Sequence, residues 1–96
     1  MTHLESTATT TFDPSAPARL SDQATLRPEP FGALAYHYGT RRLVFVKTKG
    51  LVRVLEHLGE YPTARDAVVA LVAPREVDAT IAALARLHVS GVVDGG

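Results

Sequence analysis

At Gly50 the apolar residues of this chain change their spacing, and that change constrains the fold more than any other feature. Before it, large and β-branched side chains come in short runs broken by Gly and Pro, the pattern of strands. After it, Leu51, Val54, Leu55 and Leu58 recur at i, i+3, i+4 and i+7, one face of a helix. Strands first and helices afterwards, in a chain of 96 residues, describe one α+β domain with helices laid on one sheet face. A domain of this size buries about 60–65% of the surface its unfolded chain exposes, so a thin core fits and a deep catalytic pocket does not.

Residues 1–19 are rich in Thr, Ser, Ala and Pro, with Leu4 and Phe12 as the sizeable apolar groups. Such a stretch buries too little surface to offset its ordering entropy, so a disordered arm is expected there and a domain over residues 20–96. Leu20 to Leu26 alternates weakly, as a first strand. Pro28 and Pro30 make Arg27-Pro28-Glu29-Pro30 a rigid extended connector. Phe31 to Tyr38 and Arg41 to Lys47 supply two further strands. A two-residue Gly39-Thr40 loop suits a type II′ hairpin and pairs Tyr38 with Arg41, Tyr36 with Leu43, and Leu34 with Phe45. These large residues share one face, assigned to the core. Ala33, Ala35, Val44 and Val46 fall on the other, with His37 and Arg42.

In the helical half, Gly59 ends the first helix. Thr63 with Asp66 forms a capping box that opens a second helix through Val68, Val69 and Leu71. Pro74 suits the first position of a third, whose stripe is Val77, Ile81, Leu84 and Leu87/His88. Gly91 stops it and Val92-Val93 form a short tail. A three-stranded antiparallel sheet followed by three helices is also the order of a winged helix-turn-helix.

Catalytic signatures are absent. Cysteine is missing, which excludes disulfides, thiolate metal sites, iron–sulfur clusters and a cysteine nucleophile. His3, His37, His57 and His88 show no metal-ligand spacing, and no phosphate-cradling or nucleophile-elbow glycine pattern occurs. A non-enzyme without cofactor or metal is expected. No apolar run approaches the eighteen or so residues that span a bilayer, and the N-terminus lacks a basic start followed by an apolar stretch. A cytoplasmic protein with no membrane partner is therefore expected.

Ten basic and ten acidic side chains cancel. Nucleic-acid binders carry a basic excess, so no nucleic-acid partner is expected. The cancellation is uneven: Arg41, Arg42, Lys47, Lys49 and Arg53 lie between Thr40 and Arg53 with no acid among them. Such a band either draws an anionic partner or keeps a bare sheet edge from aggregating. If Arg42 to Lys47 is an edge strand, an incoming peptide can pair with it. Each net hydrogen bond gains about 0.5–1.5 kcal/mol while ordering each peptide residue costs about 1–2 kcal/mol, so apolar anchors beside the strand must supply the surplus. Ile81, Leu84 and Leu87 are candidates for that wall, alongside their role in the core.

The run Leu26-Arg27-Pro28-Glu29-Pro30-Phe31-Gly32-Ala33-Leu34, continuing through Tyr36-His37 and Gly39-Thr40-Arg41, resembles the mycofactocin-system peptide chaperones, a family of PqqD-like precursor-peptide recognition elements. The likeness is strong over about residues 20–58 and a matter of pattern beyond. It implies a winged helix-turn-helix that binds the leader of the mycofactocin precursor peptide and presents it to a radical SAM maturase. Leaders in such elements pair with the third strand and lie against the third helix. Carried onto this chain, the peptide-binding residues are Arg41, Arg42, Leu43, Val44, Phe45, Val46, Lys47, Ile81, Leu84 and Leu87. The family's precursor is acidic, which gives the positive band a purpose. The alternative is a winged-helix DNA-binding regulator, which the helical order permits. It is weakened by Glu76 and Asp78 beside Arg75 and Arg86 as the third helix's basic groups.

Overall fold

Alternation carries Ala24 to Val46 into one sheet. In the computed structural model, which describes residues 12–95, β1 is Ala18–Leu20, β2 Ala24–Glu29, β3 Gly32–His37 and β4 Arg42–Val46. Three helices follow: α1, Lys49–His57; α2, Ala64–Leu71; and α3, Val77–Val89. A final strand, β5, is Val93–Gly95. Strands β2, β3 and β4 form an antiparallel sheet in that order, while β1 and β5 pair separately.

Local chemistry sets the helix ends. Thr48 accepts the Leu51 N–H through its hydroxyl at 3.1 Å, and Thr63 does the same for Asp66 at 3.1 Å, so both helices begin on a satisfied donor. Pro74 opens a 3-10 turn, Pro74–Glu76, that runs into α3. Past α3, Gly91 takes φ +90°, and Val92 and Gly91 donate to the Leu87 and His88 carbonyls. That pair of bonds closes the helix and needs a residue tolerant of left-handed backbone.

The expected register holds and the expected face does not. Tyr36 pairs with Leu43 and Leu34 with Phe45. Yet Ala33, Ala35 and Val46 are completely buried, whereas Leu43 and Phe45 are 54% and 60% exposed. The helices lie on the alanine face, joining Val54, Leu55, Leu58, Val68 and Leu84 in the core. Small strand residues let helix backbones approach closely, and the large ones are left facing out. The turn also differs. The ladder ends at His37–Arg42, and the connection spans Tyr38 to Arg41, with Arg41 and not Gly39 at positive φ (59°). His37 Nδ1 accepts from the Thr40 N–H at 3.1 Å and shapes this longer loop.

Other expectations shift as well. Leu20 to Leu26 is divided between β1 and β2 by a turn in which Ser21 Oγ accepts from the Gln23 N–H at 3.1 Å. Arg27, Pro28 and Glu29 belong to β2 and not to a connector; Pro30 and Phe31 form the tight turn to β3. The expected arm falls partly outside the described residues, at 1–11. Residues 12–19, however, are built into the fold. Phe12 is buried with its ring 5.6 Å from His88, and the Pro14 and Ala16 carbonyls accept the first N–H groups of α2 at 2.8 and 3.1 Å. Composition missed this because the partners are distant: orphan donors at a helix start, and β5 for Ala18 to Leu20. Val92 and Val93, expected as a tail, are completely or almost completely buried, and Val93 opens β5. Among the described residues no helix is long and apolar enough to cross a membrane.

Candidate functional site

The site grows from the β4 edge. β4 has one neighbour, β3, so its other side carries no strand among the described residues. Which backbone groups point outward follows from alternation. The Tyr38 N–H donates to the Gln23 carbonyl at 2.7 Å, so Gly32, Leu34 and Tyr36, in step with Tyr38, direct their amides to β2. Ala33, Ala35 and His37 then bond β4 through Val46, Val44 and Arg42, leaving the N–H and C=O of Leu43 and Phe45 at the open edge.

Beside that edge, between β4 and α3, runs a groove of about 720 Å³. Val44, Leu51, Ala79, Ala83 and Leu87 give it apolar walls. Ala79 and Ala83 stand one turn apart on α3, and their small side chains keep the space open. Lys47 and Arg86 bring positive charge to it and Glu76 brings one negative charge. An extended chain laid along β4 meets backbone groups on one side and this apolar trough on the other.

The residues singled out from sequence separate into three groups. Val44, Phe45, Lys47 and Leu87 line the groove. Arg41, Arg42 and Leu43 are exposed at the hairpin end and outer surface of β4. Val46 and Leu84 are completely buried, and Ile81 is half-buried against the same core, so these three sit behind the groove. The groove-facing residues of α3 were missed: Ala79, Thr80, Ala83 and Arg86. Their signal was a second, small-residue stripe on α3, overlooked because the large apolar stripe marks the face turned to the core.

The positive band also divides. Arg41, Arg42 and Lys47 stay with β4, while Lys49 and Arg53 line a second, smaller cleft that holds Glu29 and Glu56. The ion pairs found join other residues: Arg19 with Asp22, Arg27 with Glu29, and His57 with Glu60. Among the described residues no three His, Asp or Glu side chains cluster to hold a metal ion. His57 and His88 are occupied by Glu60 Oε2 and the Val93 carbonyl, each at 3.0 Å.

Comparison with known proteins decides the family. The model of the peptide chaperone MftB family matches residues 17–94. The chain belongs to that family. Curated MftB relatives include the peptide chaperones of Mycolicibacterium smegmatis, 52% identical over 60 residues, and Mycobacterium tuberculosis, 50% identical over 56 residues. These alignments cover 62% and 58% of this chain and 59% and 51% of those relatives, so the chain spans between half and three-fifths of their length. No solved structure matches. The MftB match begins at Pro17, inside the stretch expected as an arm and next to β1, in keeping with the order found there.

Proposed function

We propose that this chain is a peptide chaperone of mycofactocin biosynthesis, with a winged-helix fold, that binds the leader of the precursor peptide as an added strand on β4. The leader's alternate side chains enter the groove against α3, and the loaded chain presents the peptide to a radical SAM maturase. One observation carries this reading: an open strand edge, with its free groups at Leu43 and Phe45, lies directly beside an apolar groove. Family membership supports it, since the relatives are named peptide chaperones.

The roles follow from position. Leu43 and Phe45 offer backbone pairing; Val44 and Leu87 contact groove-facing side chains; Arg41, Arg42 and Lys47 attract an acidic leader and speed its encounter. Val46, Ile81 and Leu84 act from behind, holding β4 and α3 at the spacing an inserted strand requires. Arg86 lines the groove, where it adds a positive charge beside the bound leader.

Amide exchange monitored during titration with the synthetic precursor tests this. Protection is expected at Leu43 and Phe45 and along α3, with one peptide per chain. Protection confined to β2, or tight and steeply salt-dependent binding of duplex DNA instead, contradicts the reading.

A further inference from the structure

Apart from Phe45 and Lys47 at its rim, the groove does not use the sheet's outer face, and that face is unusual. Four large apolar or aromatic side chains crowd it while remaining open to solvent: Phe31 (43% exposed), Tyr38 (54%), Leu43 and Phe45. Leu34 and Tyr36 fill the rows between them, opposite Phe45 and Leu43. The aromatic rings are organised: Phe31 lies 5.6 Å from Phe45, and Tyr36 meets Tyr38 edge-on at 5.3 Å. Contiguous apolar surface of this kind on a small domain marks a contact site.

The backbone is arranged to build it. Gly32 follows the Pro30-Phe31 turn at φ +155°, and a Cβ there would run into the Val46 carbonyl oxygen. That close approach brings Phe31 onto Phe45 of β4. The Pro-Glu-Pro-Phe-Gly run, which contributes nothing to the groove, thus completes the outer face.

Charge selects the occupant. Arg27 stands in the Leu34–Phe45 row, and Arg41 and Lys47 flank β4 at its two ends. Glu29, in the neighbouring row, pairs with Arg27 at 3.4 Å and the two offset each other, so Arg41 and Lys47 set the excess positive charge of the face. A second copy stacked on this face would set cations against cations. A protein with an apolar patch rimmed by carboxylates meets the pattern without that penalty.

We propose that the outer sheet face is a second docking surface, separate from the peptide groove, and that it receives such a protein: the enzyme to which the peptide is handed. This rests on the delivery reading above, because delivery requires enzyme and peptide to be held at once. Phe45 joins the two regions, lining the groove while stacking on Phe31. A strand added to β4 extends the outer face, so the enzyme meets sheet and peptide as one surface.

The test uses the full chain, a synthetic mycofactocin precursor peptide and a purified radical SAM maturase of mycofactocin biosynthesis. The double variant Phe31→Ser/Tyr38→Ser changes exposed side chains outside the groove. Its peptide affinity is expected within about twofold of wild type, while maturase affinity falls at least about tenfold, as truncated aromatic anchors do. Arg27→Glu, which leaves the apolar surface intact, is expected to weaken the maturase about threefold or more and to alter its salt dependence; it serves equally should the double variant not fold. Wild-type maturase affinity in either folded variant overturns the proposal, as does a wild-type chain that does not bind the maturase. A dimer in sedimentation velocity that the double variant dissolves also overturns it, assigning the face to a second copy. The two readings fail separately. A wild type that binds maturase but no peptide sinks delivery, whereas a variant that binds both normally sinks only this surface.

Discussion

The sheet has two edges, and they are built oppositely. β2 carries Pro28, whose nitrogen has no hydrogen to offer, and the same strand ties Arg27 to Glu29 along its length. A proline survives in a ladder only where its nitrogen faces away from the neighbouring strand, so Pro28 marks β2 as an edge and blunts it. β4 contains no proline and leaves the backbone groups of Leu43 and Phe45 free. Lys49, Arg53 and Glu56 of α1 line the small cleft at Pro28, while β4 faces the large groove against α3. An edge strand invites unwanted pairing, and chains blunt edges they do not use. Here one edge is blunted and the other left open beside an apolar trough, the contrast on which the proposed peptide site rests.

The largest effect is expected from filling the trough. Ala83→Phe places a ring between α3 and β4, in open space, where it need not disturb the core. Excluding even three buried methylene-sized groups of a bound peptide removes about 2 kcal/mol, a factor of about thirty in affinity. Calorimetry against the precursor peptide reads it. Wild-type affinity in a natively folded variant would make the open edge incidental and dissolve the contrast with β2.

A smaller effect isolates the backbone. Leu43→Pro removes one outward N–H from β4 without taking a bond from β3, because Leu43 points its amide away from that neighbour. Leu43→Ala serves as its reference for the lost side chain. The proline variant is expected to bind the peptide about two- to tenfold more weakly than the alanine variant, the worth of one net hydrogen bond. Equal affinities would mean the peptide is held by side chains alone, and that edge chemistry does not separate β4 from β2.

How much of this was legible in the sequence depends on the range of the forces involved. The Tyr36–Leu43 and Leu34–Phe45 register follows from alternation, and the Thr63 cap and Pro74 helix start from their immediate neighbours; all were readable. The choice of sheet face was not, because either face satisfies the same pairing. The helices break the tie by packing on Ala33 and Ala35, and a rule that sends large residues inward chooses wrongly. The place of Phe12 to Leu20 depends on α2 and β5, more than forty residues away, and no local pattern records it. At the site, the edge itself was legible, whereas the α3 wall was read as Ile81, Leu84 and Leu87; Leu87 lines the groove, Ile81 and Leu84 pack in the core behind it, and Ala79 and Ala83 were not read.

The smallest effect probes the blunted edge. Pro28→Val restores an outward N–H to β2 and supplies a β-branched side chain suited to a strand. Losing proline's restraint on the unfolded chain costs about 0.4–1 kcal/mol, and the strand preference of valine offsets part of it, so stability moves little. Peptide affinity is expected to stay within about twofold, since restoring a donor creates an edge without a trough, and pairing alone roughly breaks even against ordering entropy. Sedimentation velocity at high concentration is expected to show more self-association than the wild type, through β2 edges no longer blunted. A second equivalent of peptide bound by Pro28→Val in calorimetry would reverse the conclusion. It would mean that any unblocked edge of this sheet captures the peptide, and that proline, not the groove, is what sets the two edges apart.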